Sequence, residues 1–204
     1  MRRFLSLLLV ASLLLAVCSL VGCGQLSGLH YVEIKVKDYG VIKLTLDADV
    51  APITVTNFVK LAKSGFYDGL TFHRIMEGFM IQGGDPKGDG TGGSKPIKGE
   101  FSANGVPNGI SHRRGVISMA RQGERYYIEN GKLAYDSGYD TGSCQFFIMH
   151  QDNPGLDGQY AAFGWVTEGM EVVDAIATGV PVIDGNGTVK PGSAPVIEYI
   201  KVLK

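Results

Sequence analysis

A chain of 204 residues that is 45% hydrophobic and 19% charged is neither disordered nor low-complexity, and it is long enough to bury one core. Its 19 basic and 20 acidic residues leave a formal charge of −1, which excludes the global positive field that holds a phosphate backbone, so no nucleic-acid partner is expected. Cys18, Cys23 and Cys144 cannot make two bridges and show no CxxC or Cys/His metal spacing, so a disulfide scaffold is excluded and no metal is expected.

The N-terminus reads as an export signal. Met1-Arg2-Arg3 precedes an uncharged run over residues 4–22, the basic and apolar regions of a secretory segment. The run closes on Leu20-Val21-Gly22-Cys23, which resembles a bacterial lipobox. The favoured reading is a lipoprotein signal peptide over residues 1–22, lipidation of Cys23 and a short tether over residues 23–29. An uncleaved membrane-spanning helix or a plain cleaved signal are the alternatives, and all three export the domain over residues 30–204. Location at the extracytoplasmic face of a bacterial cell membrane follows.

In the remaining chain, apolar and polar residues alternate over 31–37 and again through Ile42, Leu44 and Leu46, with Asp38-Tyr39-Gly40 as the turn of a hairpin. The period then changes. Val55, Phe58, Val59 and Ala62 share one helical face, opened by Pro52 and closed by Gly65. Further strands are predicted over 70–75, 79–82, 116–120, 145–150, 161–166 and 196–203, with a second helix over about 169–177. The glycine-rich stretches 83–99 and 179–195 read as loops within one domain. Eight strands without alternating helices predict a mainly β fold, a closed eight-stranded antiparallel barrel capped by two α-helices.

Several motif signals fail on context. Gly88-Asp-Gly-Thr-Gly-Gly93 matches GxGxxG but leads into Ser94-Lys95-Pro96 instead of a helix, so no dinucleotide cofactor is expected. A calcium loop starting at Asp85 would place Lys87 and Pro96 where oxygen ligands are needed. Cys144, just before a strand, suits a small packing role better than that of a nucleophile. His112-Arg113-Arg114 reads as a solvated turn.

What remains is an ordered set: Phe72-His-Arg-Ile75, Gly78-Phe-Met-Ile-Gln-Gly-Gly-Asp85, Ser118-Met-Ala120, Gly142-Ser-Cys-Gln-Phe-Phe-Ile148, and Leu156-Asp-Gly158 before Ala162-Phe-Gly164. Together these resemble the cyclophilin family of peptidyl-prolyl cis-trans isomerases, over residues 30–203. The resemblance implies Arg74 as the catalytic arginine and Gln82 as its polar companion on the peptide. Phe79, Met80, Phe147 and Leu156 would wall the proline pocket, while Ala120, Arg121 and Gln145 would line the neighbouring groove. Tyr160 joins the substrate-binding set, standing where many members carry histidine, and Gly155 stands where some carry tryptophan. Residues 122–141 are longer than the family connection and hold Tyr126, Tyr127, Tyr135 and Tyr139. A tolerated surface insertion and a substrate or partner contact are the two readings of that segment.

The implied partners are proline-containing polypeptides and, through the lipid anchor, a membrane; a monomer is expected. Folding assistance to exported proteins is the expected function. A non-catalytic proline-peptide binding module or holdase is the alternative.

Overall fold

In a computed structural model the described residues are 24–203, so the apolar run and Cys23 lie outside them. Among the described residues ten strands and two α-helices follow one another: β1 (Leu29–Val36), β2 (Gly40–Asp47), α1 (Pro52–Lys63), β3 (Thr71–Met76), β4 (Met80–Asp85), β5 (Val116–Met119), β6 (Arg125–Glu129), β7 (Lys132–Asp136), β8 (Phe146–Met149), β9 (Ala161–Glu168), α2 (Met170–Gly179) and β10 (Ile197–Val202). All eight strands and both helices expected from periodicity are present. Pro52 opens α1, and its free N–H groups are capped at long range: the buried Glu100 carboxylate accepts from the N–H of Ile53 at 3.0 Å and of Thr54 at 2.8 Å.

Eight strands form one antiparallel sheet in the order β10, β1, β2, β9, β5, β8, β4, β3. The closed barrel expected from the sequence is corrected to an open half-barrel, because the ladder stops between β3 and β10. A single bridge, Thr71 to Val196, joins these edges, with the Phe72 N–H donating to Pro195 O at 3.0 Å and the Ile197 N–H to Leu70 O at 2.8 Å. Pro195 has no N–H to extend the pairing. The rest of the β3 edge is satisfied by a loop: the Ile75 N–H donates to Gly187 O and the Val189 N–H to His73 O. Gly187 permits this approach, since a Cβ there would lie 2.2 Å from Ile75 O and its φ is +80°.

The curled sheet separates two apolar clusters. Its inner face packs Val32, Ile34, Leu44, Phe72, Ile81, Phe146 and Phe163 under α1 and α2. At the centre of this core, Phe58 of α1 meets Tyr67, Phe146 and Phe163 at ring separations of 5.2–5.4 Å. Met80, Val116, Phe147, Met149 and Ala162 form a smaller cluster on the outer face. Sequence-adjacent Phe146 and Phe147 therefore serve different cores, as strand alternation requires.

The segment 122–141 holds strands β6 and β7, which are not among the strands predicted from the sequence. They pair in a separate two-stranded sheet around Asn130-Gly131, whose φ values of +51° and +75° are those of a tight primed hairpin turn. The Asn-Gly pair was the available signal.

Candidate active site

The outer-face cluster opens into a cavity of about 170 Å³ lined by Arg74, Phe79, Met80, Gln82, Ala120, Arg121, Phe147, Leu156 and Tyr160. Nine of the ten residues named from the sequence thus converge here. The tenth, Gln145, lines an adjoining groove of about 580 Å³ together with Gln82, Ala120, Arg121 and the loop around Gly90 to Ser94.

Strand register explains the convergence. Met80 and Gln82 alternate outward on β4, where Gln82 faces Phe147 across the ladder to β8 and Arg74 across the ladder to β3. A bulge between Phe72 and Arg74 sets the arginine on the outer side while Phe72 and Ile75 both remain in the inner core. Ala120 and Arg121 come from the end of β5. Leu156 and Tyr160 come from the connection before β9, whose short 3-10 turn Pro154–Leu156 is capped by the Asn153 side chain.

The guanidinium of Arg74 is aimed by several acceptors. Its Nε–H donates to Asn186 O at 2.8 Å and an Nη1–H to Gln82 Oε1 at 3.2 Å. The other contacts are thioethers, Met76 Sδ at 3.1 Å from Nη2 and Met80 Sδ at 3.9 Å from Nη1. Sulfur is a weak acceptor, so these donors retain most of their capacity for a stronger one. Burial pushes the Arg74 pKa down, against the pull of Tyr160 and Asp184, but an arginine stays charged at neutral pH.

The hydrogen bonds continue away from the arginine. Gln82 Nε2 donates to Gln145 Oε1 at 2.9 Å, and Gln145 Nε2 donates to the carbonyls of Gly90 and Gly92 at 3.0 and 2.8 Å. That loop is itself gathered by the buried Asp85 carboxylate, which accepts from the N–H groups of Lys87, Asp89 and Gly90. Asp85 therefore serves the groove as a loop organiser. Arg121 is held by Gln159 O at 2.9 Å and lies over the Tyr160 and Tyr139 rings at 4.7 and 5.1 Å.

Beneath the pocket, the structure overturns the reading of residues 112–114 as a solvated turn. Arg113 and Arg114 are exposed, but His112 is fully buried and stacks on Phe147 with ring centres 6.1 Å apart. Its Nδ1 lies 2.9 Å from Asp157 Oδ1 and its Nε2 3.0 Å from Ser118 Oγ. These contacts fit a neutral ring donating to Asp157 and accepting from Ser118. Burial drives the His112 pKa below 6.5, and the carboxylate only partly offsets it. Sequence reading passed over this Ser118–His112–Asp157 support, although Asp157 and Ser118 lie inside two of the quoted motifs.

An apolar pocket, a cation aimed into it and an adjoining polar groove suit an extended peptide with a compact apolar ring. Comparisons with known proteins agree. The sequence profile described as cyclophilin type peptidyl-prolyl cis-trans isomerase/CLD matches residues 31–202. The chain is 43% identical to peptidyl-prolyl cis-trans isomerase B of Bacillus subtilis over 70% of its own length and 87% of that protein's. It is 44% identical to the peptidyl-prolyl cis-trans isomerase of Helicobacter pylori, covering 76% of this chain and 85% of the other. A crystal structure of a cyclophilin type isomerase from Cryptosporidium parvum superposes with a TM-score of 0.70 at 30% identity, covering 86% of this chain and 98% of that one. A second structure of that isomerase, obtained in the presence of the dipeptide Ala-Pro, gives a TM-score of 0.68 at 29% identity, over 85% and 99% of the two chains. The chain belongs to the cyclophilin-type peptidyl-prolyl cis-trans isomerase family.

Proposed function

We propose that this isomerase acts on exported polypeptides at the extracytoplasmic face of a bacterial membrane, with Arg74 as the catalytic group. The observation that carries the catalytic part is the apolar cavity with the Arg74 guanidinium at its side, partly held by weak sulfur acceptors.

Rotation about an X-Pro bond breaks amide resonance over a barrier of about 18–20 kcal/mol but forms no new covalent bond. The twisted amide is less charge-separated than the planar one, and its nitrogen regains a lone pair. An apolar pocket favours the first change and a donor aimed at the nitrogen favours the second. Phe79, Met80, Phe147 and Leu156 supply the apolar walls, and Arg74 supplies the donor. Bringing the exchange from tens of seconds to milliseconds requires about 5.5 kcal/mol. One charge-assisted hydrogen bond accounts for about 1.5–3 kcal/mol of this. Desolvation, and the grip of Gln82, Arg121 and Gln145 on the flanking backbone while one side turns, supply the rest.

The location rests on the Leu20-Val21-Gly22-Cys23 sequence that ends the uncharged run. Diacylation and N-terminal acylation of Cys23 give the two or more chains that stable anchoring needs. Mass spectrometry of the membrane fraction tests this: the mature chain is expected to begin at a lipidated Cys23, and Cys23→Ser is expected to stay unprocessed. An unmodified Cys23, or a mature start elsewhere, contradicts it.

A further inference from the structure

The β6–β7 hairpin is a ribbon with two unlike faces. Its register pairs Arg125 with Asp136, Tyr126 with Tyr135, Tyr127 with Ala134, Ile128 with Leu133 and Glu129 with Lys132. Cross-strand partners share a face and successive pairs alternate between faces. One face is therefore Tyr126, Tyr135, Ile128 and Leu133 alone. These four side chains are 69%, 50%, 70% and 72% exposed, so among the described residues nothing covers them. On the other face Arg125 pairs with Asp136 at 2.8 Å and lies over the Tyr127 ring at 5.7 Å, Tyr127 faces Ala134 and Glu129 faces Lys132, so that face is mainly charged. Because Arg125 also lines the groove beside the proline pocket, that charged face looks toward the peptide site. The apolar face is turned away from it, which argues against the peptide substrate as its cover.

The topology puts the base of the hairpin and the N-terminus at one end of the sheet. Met119, the last residue of β5, pairs with Ala161, the first of β9, and with Phe146, the first of β8. The hairpin thus leaves the sheet where β9 begins. On the same end β2 finishes at Asp47, paired with Leu29 at the start of β1. The residues before β1 are fixed there: the Leu26 N–H donates to Thr56 Oγ1 and the Gly28 N–H to Asp49 Oδ1, each at 2.8 Å. Cys23 precedes Leu26 by three residues, about 10 Å of extended chain. With residues 4–22 spanning the bilayer or Cys23 acylated, as inferred above, this end of the sheet would lie within a short tether of the lipid. Leu29 and Tyr31 are also exposed there.

We propose that the Tyr126, Ile128, Leu133 and Tyr135 face of the hairpin lies in the membrane interface as a second contact beside the N-terminal anchor. The proposal rests on the membrane attachment inferred above. The aliphatic pair stands one pair back from the Asn130-Gly131 turn, behind Glu129 and Lys132, and the tyrosine pair two residues nearer the base, about 7 Å further along the ribbon. With the ribbon lying on its apolar face and tilted toward its tip, Ile128 and Leu133 reach the acyl boundary, the phenols stay at headgroup level, where tyrosine concentrates, and Glu129 and Lys132 stay on the water side of the ribbon. With the anchor and the hairpin both engaged, the domain has a fixed orientation, and the proline groove sits on the ribbon's opposite, solvent-facing side.

The test uses the full-length protein and its Leu133→Trp variant in vesicles of phosphatidylethanolamine and phosphatidylglycerol, with acyl chains brominated near the headgroup. Leu133 is outside the isomerase pocket, so unchanged isomerase activity of the variant certifies its fold. The added tryptophan emission is expected to fall by half or more in brominated against plain vesicles, while parent emission from Trp165 does not change. A vesicle-bound variant whose added emission is unquenched overturns the hairpin proposal and leaves the anchor standing. A chain that does not float with vesicles overturns both. Shielding of the added tryptophan by an unfolded proline-containing polypeptide, or by self-association without lipid, also overturns the proposal, in favour of a protein partner.

Discussion

The apolar pocket proposed for proline and the β6–β7 hairpin both set aromatic side chains on the outer surface of β-strands, but only the pocket has a second layer behind it. Phe147 rests on the buried His112, edges Tyr160 at 5.7 Å and is itself 5% exposed. Tyr126 and Tyr135 meet no aromatic ring but each other's, at 5.1 Å, on a ribbon that among the described residues pairs with no other strand. A backed aromatic wall keeps its shape with nothing bound, as catalysis of a rotation demands. An unbacked one marks a surface that awaits something else.

The sharpest way to break this contrast is to remove a wall. Phe147→Ala is expected to cost about 3–5 kcal/mol of stability, by leaving a void between His112, Met80 and Tyr160. The apolar surface lost to the bound proline should lower kcat/KM by about a hundredfold. Denaturant unfolding and a protease-coupled isomerisation assay measure the two losses. Preserved activity would mean that the proline ring sits elsewhere.

The layer behind the wall should show itself in pH dependence. His112 and His73 are both buried, and burial holds both ring pKa values below 6.5. Below that pH the unfolded chain binds protons that the folded chain refuses. Their contribution to stability is therefore complete above about pH 6.5 and is lost as the pH falls. The slope should reach at most about 1.4 kcal/mol per pH unit for each histidine. Substituting His112→Asn should lower stability at pH 7 and remove one histidine's share of the slope between pH 6.5 and 5. An unchanged slope would place the titration in other groups.

The smallest effect is expected from the hairpin. Replacing residues 124–136 with a short Gly-Ser link should leave kcat/KM on a short X-Pro peptide within about threefold and the core stability within about 1 kcal/mol. This follows because no strand of the eight-stranded sheet pairs with the ribbon. A larger loss in activity would show that Arg125 is part of the peptide grip.

The same contrast marks what could be read from the sequence. The eight sheet strands were legible because each buries one face, so that Ile42, Leu44 and Leu46 alternate with polar residues. The hairpin's alternation has no core behind it, and its only strong sign was Asn130-Gly131 at the turn. The pocket residues were legible through the family resemblance, whose motifs hold several of them close together in the chain, as with Phe79, Met80 and Gln82. His112 was not, because one buried histidine beside two arginines has the composition of a solvated turn. Only contacts brought together from Ser118 and Asp157 distinguish the two. Barrel closure failed for a similar reason. Strand count alone says nothing of Pro195 or of the loop that occupies the β3 edge.

The central claim is that Arg74 acts on the twisted amide more than on the planar one, and a split between turnover and binding tests it most directly. Isomerisation of an X-Pro peptide by Arg74→Ala should be measured beside the dissociation constant of the same peptide. The variant is expected to remain folded and to bind within about threefold of the parent, while kcat/KM falls at least about tenfold. Unaltered isomerisation by Arg74→Ala, or a loss wholly accounted for by weaker binding, would contradict the account.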